Sequence, residues 1–208
     1  MKNYCIVGLT GQSGAGKTTV SNCFLENGFF VVNCDIVSRE VTEKGSKCNK
    51  KLSEHFPECF DSELTLDRKK LASCVFGNSE KLSLLNETIF PFIIDNINNK
   101  IDNAVLIGEK FILLDAPTLF EAKIENTCDY IVSVVANKNV RAERICKRDN
   151  LSENEVFKRF SSQNTEEFFR EKSDFVIEND EGIESVVFQT ISIINKIKEL
   201  SDVPQTKE

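Results

Sequence analysis

The chain has a single histidine, one methionine, no tryptophan and only four prolines among 208 residues. His55, between Glu54 and Phe56, is not read as part of a metal-like cluster with the cysteines, and a surface or packing role rather than a catalytic one is expected of it. The eight cysteines form no Cys-x-x-Cys pair. Most of them, including Cys5, Cys23 and Cys74, fall in segments patterned as helix or strand, so reduced thiols in a cytoplasmic setting are expected. No apolar run approaches the length of a bilayer span, and no membrane partner is expected. The amino terminus runs straight into a strand-like segment, from which no signal peptide is expected. An excess of positive charge is missing too. The formal net charge is −7, which argues against nucleic acid as a partner, although local cations can still focus an anionic ligand. Internal repeats and low-complexity tracts are absent.

What remains is an ordinary globular composition, 40% apolar and 28% charged, which fits one medium α/β domain with an insertion. Short apolar runs recur at Tyr4–Leu9, Phe29–Asn33, Phe111–Leu114, Tyr130–Ala136 and Phe175–Ile177. Helix-like segments separate them, and that alternation predicts a mostly parallel sheet with helices on both faces. Nearly eighty residues between the second and third runs exceed a simple crossover. Within them Leu66–Phe76 reads as a helix stopped by Gly77. A second helix carries Leu82, Leu85, Ile89, Ile93, Ile97 and Ile101 on one face, with a kink expected at Pro91. Helix is expected at Asn139–Lys147, a turn at Arg148–Leu151, a capping-box start at Ser152–Glu155, and a last helix at Ile183–Leu200.

The strongest motif follows the first strand. Gly11, Gln12, Ser13, Gly14, Ala15, Gly16, Lys17 and Thr18 spell a complete phosphate-binding loop, and Thr18–Leu25 supplies the helix that such a loop needs, with Gly28 as its stop. Glycines let backbone N–H groups turn toward an anion, and the helix amino terminus adds its positive end. Lys17 is then expected to reach the β- and γ-phosphates of ATP, and the Thr18 hydroxyl to ligate Mg2+.

Further candidates stand at strand ends, where ligands of such sheets bind. Asp35 can orient an attacking hydroxyl and accept its proton, or cap the helix that begins after it. Asp115 can bind Mg2+ through water, hold Thr18, or cap backbone amides as a buried structural carboxylate. Arg141, Arg144 and Arg148 fall on one helical face, either as a solvated charge stripe or as planar donors for phosphate oxygens at a hinge.

These blocks resemble the dephospho-CoA kinase family in order and spacing across nearly all of residues 4–179. They comprise Gly8–Val20, Cys34–Val41 with Gly45, Leu66–Arg68 with Val75 and Phe76, and Asp115–Glu121. Arg144 through Asp149, Arg159 with Gln163, and Ser173–Asn179 complete the set. The resemblance implies transfer of the ATP γ-phosphate to the ribose 3′-hydroxyl of dephospho-CoA with Mg2+, in a three-layer P-loop kinase fold with a five-stranded parallel sheet. It implies Asp35 as catalytic acid/base, Lys17 and Arg148 as catalytic cations, and residues 11–19, including Thr19, with Arg144 around ATP. Arg39, Asp115 and Pro117 fall with the acceptor.

The expected layout is a core at about 1–35, 108–138 and 173–200, a helical acceptor-binding insertion at about 36–107, a lid at about 139–172 and a frayed tail at 201–208. A monomer or small homo-oligomer is expected. Three positions depart from the family pattern. Asn33-Cys34-Asp35 replaces Asp-Ala-Asp, Phe90-Pro91 replaces His-Pro, and Thr118 stands where leucine is usual. A kinase for another nucleotide, or a nucleotide-dependent switch, would share the loop; an Asp-x-x-Gly switch segment is absent.

Overall fold

In a computed structural model of the chain, residues 2–161 and 163–201 are described. The strands are β1 (Cys5–Gly11), β2 (Phe30–Asn33), β3 (Phe111–Asp115), β4 (Tyr130–Val135) and β5 (Phe175–Glu178). The helices are α1 (Lys17–Glu26), α2 (Cys34–Val41), α3 (Lys47–His55), α4 (Arg68–Val75) and α5 (Ser79–Leu106), then α6 (Lys138–Asp149), α7 (Glu153–Phe160), α8 (Glu166–Lys172) and α9 (Ile183–Leu200). All five apolar runs become strands of one parallel sheet, ordered β2-β3-β1-β4-β5. β1 takes the centre because it can be buried on both faces: every residue from Cys5 to Thr10 is buried. Its register sets Leu9 beside Asp115 and Gly11 beside Val134, so the carboxyl ends of β1, β3 and β4 finish at one level.

Contacts divide the chain into two compact units, residues up to Val32 with those from Ala104 onward, and Asn33–Asn103. In the first unit, α1 and α9 share a core with the sheet. Val20, Phe24, Val186, Ile194 and Ile197 are fully buried with Val7, Leu9 and Val132. Each such side chain contributes about 1.5–3 kcal/mol of burial free energy. Helix α1 stops where Gly28 takes φ +82. The N–H groups of Gly28 and Phe29 then return to the Leu25 and Phe24 carbonyls, each at 3.1 Å. Phe24, Phe29 and Phe111 stack in sequence at 4.8 and 5.3 Å, tying that turn to the sheet.

The region from 138 to 172 differs in detail from expectation. Helix α6 continues through Arg148 to Asp149 instead of turning there, because Asn150 supplies the left-handed stop at φ +53. The capping box forms as read, with the Ser152 N–H donating to Glu155 Oε2 at 2.9 Å. Helix α8, capped by Thr165 and anchored by buried Phe169, has no counterpart in the sequence reading.

The second unit is helical. Asn33 rather than Asp35 caps α2: its Oδ1 accepts from the Ile36 N–H at 3.0 Å. Helix α4 starts at Arg68, not Leu66, because the Asp67 carboxylate takes the Lys69 and Lys70 N–H groups at 3.0 Å while Leu66 bridges Phe60. Cys48, Leu52, Phe56, Cys59, Leu71 and Val75 form the core of this unit. Helix α3, absent from the sequence reading, contributes the first two and ends on exposed His55. Helix α5 runs unbroken through Pro91. Its apolar face deepens toward the carboxyl end, where Ile93, Ile97 and Ile101 are buried, while Leu82 is exposed. The tail beyond Ser201 lies outside the described residues.

Asn and Asp cap equally well, so Asn33→Asp should leave the urea midpoint nearly unchanged, whereas Asn33→Ala should lower stability by about 1 kcal/mol. Equal midpoints for the alanine variant and the parent protein would remove Asn33 as the cap.

Candidate active site

The phosphate loop is shaped by two backbone demands. Gly11 has φ +142, and a Cβ there would run into the Val134 backbone. Gly16 has φ +98 at the start of α1, and a Cβ there would strike the Asn179 amide. Within the loop, the Gln12 N–H donates to the Val134 carbonyl and the Ala15 N–H to the Gln12 carbonyl, both at 3.1 Å. Ser13 and Gly14 lie between these two bonds. Gly16 offers no side chain to cap α1, and the first turn, which carries Lys17, Thr18 and Thr19, contains no acid. Helix amino termini normally satisfy their leading N–H groups with such caps. An uncapped end beside a lysine is matched to an anion of phosphate size.

Asn179, just past β5, braces this loop. It is 7% exposed, and its Nδ2 donates to the Ala15 carbonyl at 2.7 Å. Arg144 closes the other side, donating to the Asn179 carbonyl at 3.0 Å, to Asn179 Oδ1 at 3.2 Å and to the Gly14 carbonyl at 3.5 Å. The sequence reading assigned no role to Asn179. An asparagine after a strand carries no chemical signal until the backbone it supports is known.

Lys17 forms an ion pair with Asp115 at the end of β3. The Asp115 side chain is 6% exposed and that of Lys17 17%, so each charge depends on the other for neutralisation. Among the described residues Asp115 bonds to Lys17, rather than to Thr18 or to backbone amides. Beyond it, the Pro117 carbonyl accepts from Thr10 Oγ1 at 3.3 Å.

The three arginines of α6 part company. Arg141 is 7% exposed; it donates from Nε to the Ala136 carbonyl at 3.0 Å and lies 4.3 Å over the Phe160 ring. Burial presses its pKa downward, as expected for a guanidinium built into the frame. Arg148 is exposed and donates to Asp149 at 2.7 and 2.9 Å, with Arg159 on the same carboxylate at 3.1 Å. Hydrogen bonding from Arg148 holds the Asp149 carboxyl below its usual range. A cleft of about 340 Å3 opens among Gln12, Lys138, Arg141, Phe160, Asn164 and Glu166.

In the second unit, Asp35 lies exposed in the first turn of α2, and Asn33 has already taken the capping role. Its carboxylate has no hydrogen-bond or ion-pair partner among the described residues. Arg39 is one turn further on. Arg68 donates to the Arg39 carbonyl at 3.3 Å and to the Thr42 hydroxyl. Burial and the neighbouring Arg39 charge both press the Arg68 pKa downward. Two like charges held this close define an electropositive spot suited to an acidic ligand. Arg68 was visible only as a letter in a matched block, since its proximity to Arg39 requires the fold of α2 against α4. The letters Asn99-Lys100-Ile101-Asp102 match a guanine-reading pattern. They lie inside α5, however, with Ile101 buried and Lys100 paired to Glu40, and so form no loop.

A profile of the dephospho-CoA kinase family matches residues 5–185. A dephospho-CoA kinase of Bacillus cereus is 36% identical over 192 residues, 92% of this chain and 96% of that protein. The structure of TT1252 from Thermus thermophilus superposes with a TM-score of 0.83 at 28% identity, covering 96% of this chain and all of the other. A dephospho-CoA kinase from Campylobacter jejuni shares the fold with a TM-score of 0.69 at 24% identity, over 96% of this chain and 98% of the other.

If Asn179 holds the loop open, Asn179→Ala should weaken ATP binding by about 1–2 kcal/mol, roughly tenfold in Kd by calorimetric titration. An unchanged Kd would show that the loop keeps its shape without this brace.

Proposed function

The chain belongs to the dephospho-CoA kinase family, and from that premise we propose how its residues divide the transfer of the ATP γ-phosphoryl group to the ribose 3′-hydroxyl of dephospho-CoA. It is an ATP-dependent phosphotransferase of coenzyme A synthesis, acting on a small-molecule substrate. The observation that carries the assignment of the nucleotide site is the uncapped amino terminus of α1 behind the left-handed turn at Gly16. Residues 11–19 wrap the phosphates with backbone N–H groups. Arg144, fixed to Asn179 and Gly14, walls the nucleotide.

Asp35 accepts the proton of the 3′-hydroxyl as its oxygen bonds to the γ-phosphorus. The bond from that phosphorus to the β-bridging oxygen breaks, and ADP leaves. An exposed carboxylate not engaged in capping suits that task, because phosphoryl transfer asks for positioning more than for basicity. Lys17 stabilises the charge passing to the β-phosphate oxygens. Arg148 has an exposed pairing with Asp149, and exposed ion pairs are worth about 0–1 kcal/mol, so it can turn to the phosphates at little cost. Arg39 and Pro117 contribute to acceptor binding, and Arg68 supplies a second cation beside Arg39 for the acceptor's diphosphate.

The Thr18 hydroxyl and the Asp115 carboxylate are hard oxygen donors of the kind Mg2+ takes, and they fit that ion directly or through water. When bound, Mg2+ neutralises charge on the β- and γ-phosphates. The eight cysteines are all free thiols, which supports a reducing, cytoplasmic setting. No helix among the described residues is long and apolar enough to cross a membrane. With a net charge of −7, neither membrane nor nucleic acid is assigned as a partner. A monomer or small homo-oligomer completes the proposal.

Two variants test these roles. Asp35→Asn should lower kcat by about 100-fold or more, the scale of a positioned general base, while ATP affinity stays within error. Near-normal kcat would remove Asp35 from the mechanism. Lys17→Ala should cost ATP use in both KM and kcat, read beside a melting curve because Asp115 loses its cation. Unchanged constants would contradict the loop assignment.

A further inference from the structure

In the helical second unit, four side chains from separate parts of the sequence meet at one point. Cys59 closes the 3-10 turn Pro57–Cys59, Glu58 precedes it, Cys74 sits near the end of α4, and Lys81 lies in the first turns of α5. A carboxylate oxygen of Glu58 and the sulfurs of Cys59 and Cys74 lie within 4.8 Å of one another. The Cys74 thiol donates to Glu58 Oε1 at 3.2 Å, and Lys81 Nζ stands 3.0 Å from the Cys74 sulfur and 3.4 Å from the same Glu58 oxygen.

Two sulfurs and a carboxylate resemble an incomplete soft-metal site. The lysine decides against a metal, because its ammonium already occupies the cation's position against both Cys74 and Glu58. The thiols also differ in a way that metal ligands need not. Cys59 is fully buried, whereas Cys74 is only partly so. Burial first, then the charges of Cys74 and Glu58, push the Cys59 thiol up to about 11, which keeps it protonated at neutral pH. Cys74 has both solvent access and a cation at its sulfur, the two conditions that select the attacking thiol of a redox pair. Cys5 and Cys48 are buried, with thiols raised to about 12 and 11 by burial.

We propose that Cys74 and Cys59 are an oxidant-responsive dithiol, with Cys74 as the peroxide-attacking thiol, Cys59 as the resolving thiol and Lys81 as the ammonium donor held at the Cys74 sulfur. The Cys74 sulfur attacks one oxygen of a peroxide and breaks the O–O bond. With hydrogen peroxide, this leaves Cys74 sulfenic acid and hydroxide, which is protonated to water. The Cys59 sulfur then attacks the sulfenic sulfur; its proton leaves with the departing hydroxide as a second water. Two thiols lose two electrons in all, and the peroxide is reduced to two waters. The resulting disulfide ties the 3-10 turn to α4, across the core formed by Cys48, Leu52, Phe56, Leu71 and Val75. This proposal is independent of the kinase assignment and survives if that assignment fails.

The test treats the full chain with hydrogen peroxide, alkylates the remaining thiols and maps peptides by mass spectrometry. The expected product is a Cys59–Cys74 cross-linked peptide 2 Da lighter than the reduced pair, reversed by dithiothreitol and formed ahead of any link to Cys5 or Cys48. Cys59→Ser should accumulate dimedone-trappable sulfenic acid on Cys74, and Lys81→Met should slow its formation severalfold. The wild-type map needs no variant to fold, so the proposal stays testable if Cys59→Ser is unstable. Absence of the cross-link would overturn it. So would a Cys74–Lys81 link 14 Da heavier, or stoichiometric zinc that shields both thiols from alkylation.

Discussion

The open first turn of α1 is the constraint around which the first unit is arranged. A helix that begins without a cap leaves several N–H groups unsatisfied, a cost that evolution normally avoids. Here Gly16 lacks a capping side chain and takes a left-handed conformation at φ +98, so no side chain caps the first turn. That conformation does not stand alone. Asn179 grips the Ala15 carbonyl, Arg144 grips Asn179 and the Gly14 carbonyl, and Asp115 holds Lys17. Asn179 and Asp115 stand at the ends of β5 and β3, and Arg144 comes from α6, so sheet and helix together fix the loop. Preorganised donors of this kind need little rearrangement when charge shifts during transfer.

The second unit follows a different logic. Its cations and its carboxylate are placed by helix termini rather than by a sheet. Asn33 caps α2, which leaves the Asp35 carboxylate outside the cap. The departure from an acid at position 33 therefore costs the helix nothing, because an amide oxygen accepts the same N–H bond as a carboxylate. Arg68 approaches Arg39 because Asp67 starts α4 at that point. The Arg39 charge acts on Arg68, and an anion bound beside the two, as proposed for the acceptor, would offset that repulsion.

Much of this was legible in the sequence, for identifiable reasons. The five strands are continuous apolar runs, and the loop glycines mark backbone positions that other residues cannot occupy. Gly28 and the Ser152–Glu155 box announced helix ends through local hydrogen bonding alone. Long-range pairing was not legible. Arg141, Arg144 and Arg148 share a helical face, yet Phe160, Asn179 and Asp149 give them three different environments. Helices α3 and α8 escaped notice because each is short and anchored by few apolar residues. The Cys59–Cys74 meeting was likewise hidden, as each thiol read singly is only a small apolar residue. The exposure of Asp35 was also invisible until Asn33 proved to be the cap.

The central claim is that this chain places a phosphoryl group on one hydroxyl of one acceptor. The most direct measurement is phosphorus NMR of the product formed from ATP, Mg2+ and dephospho-CoA, run beside AMP and adenosine as alternative acceptors. The account predicts one new phosphomonoester signal, coupled to the ribose 3′ proton and matched one-to-one by ADP, with dephospho-CoA only. A product phosphorylated elsewhere, preference for another acceptor, or ADP accompanied only by inorganic phosphate would contradict it.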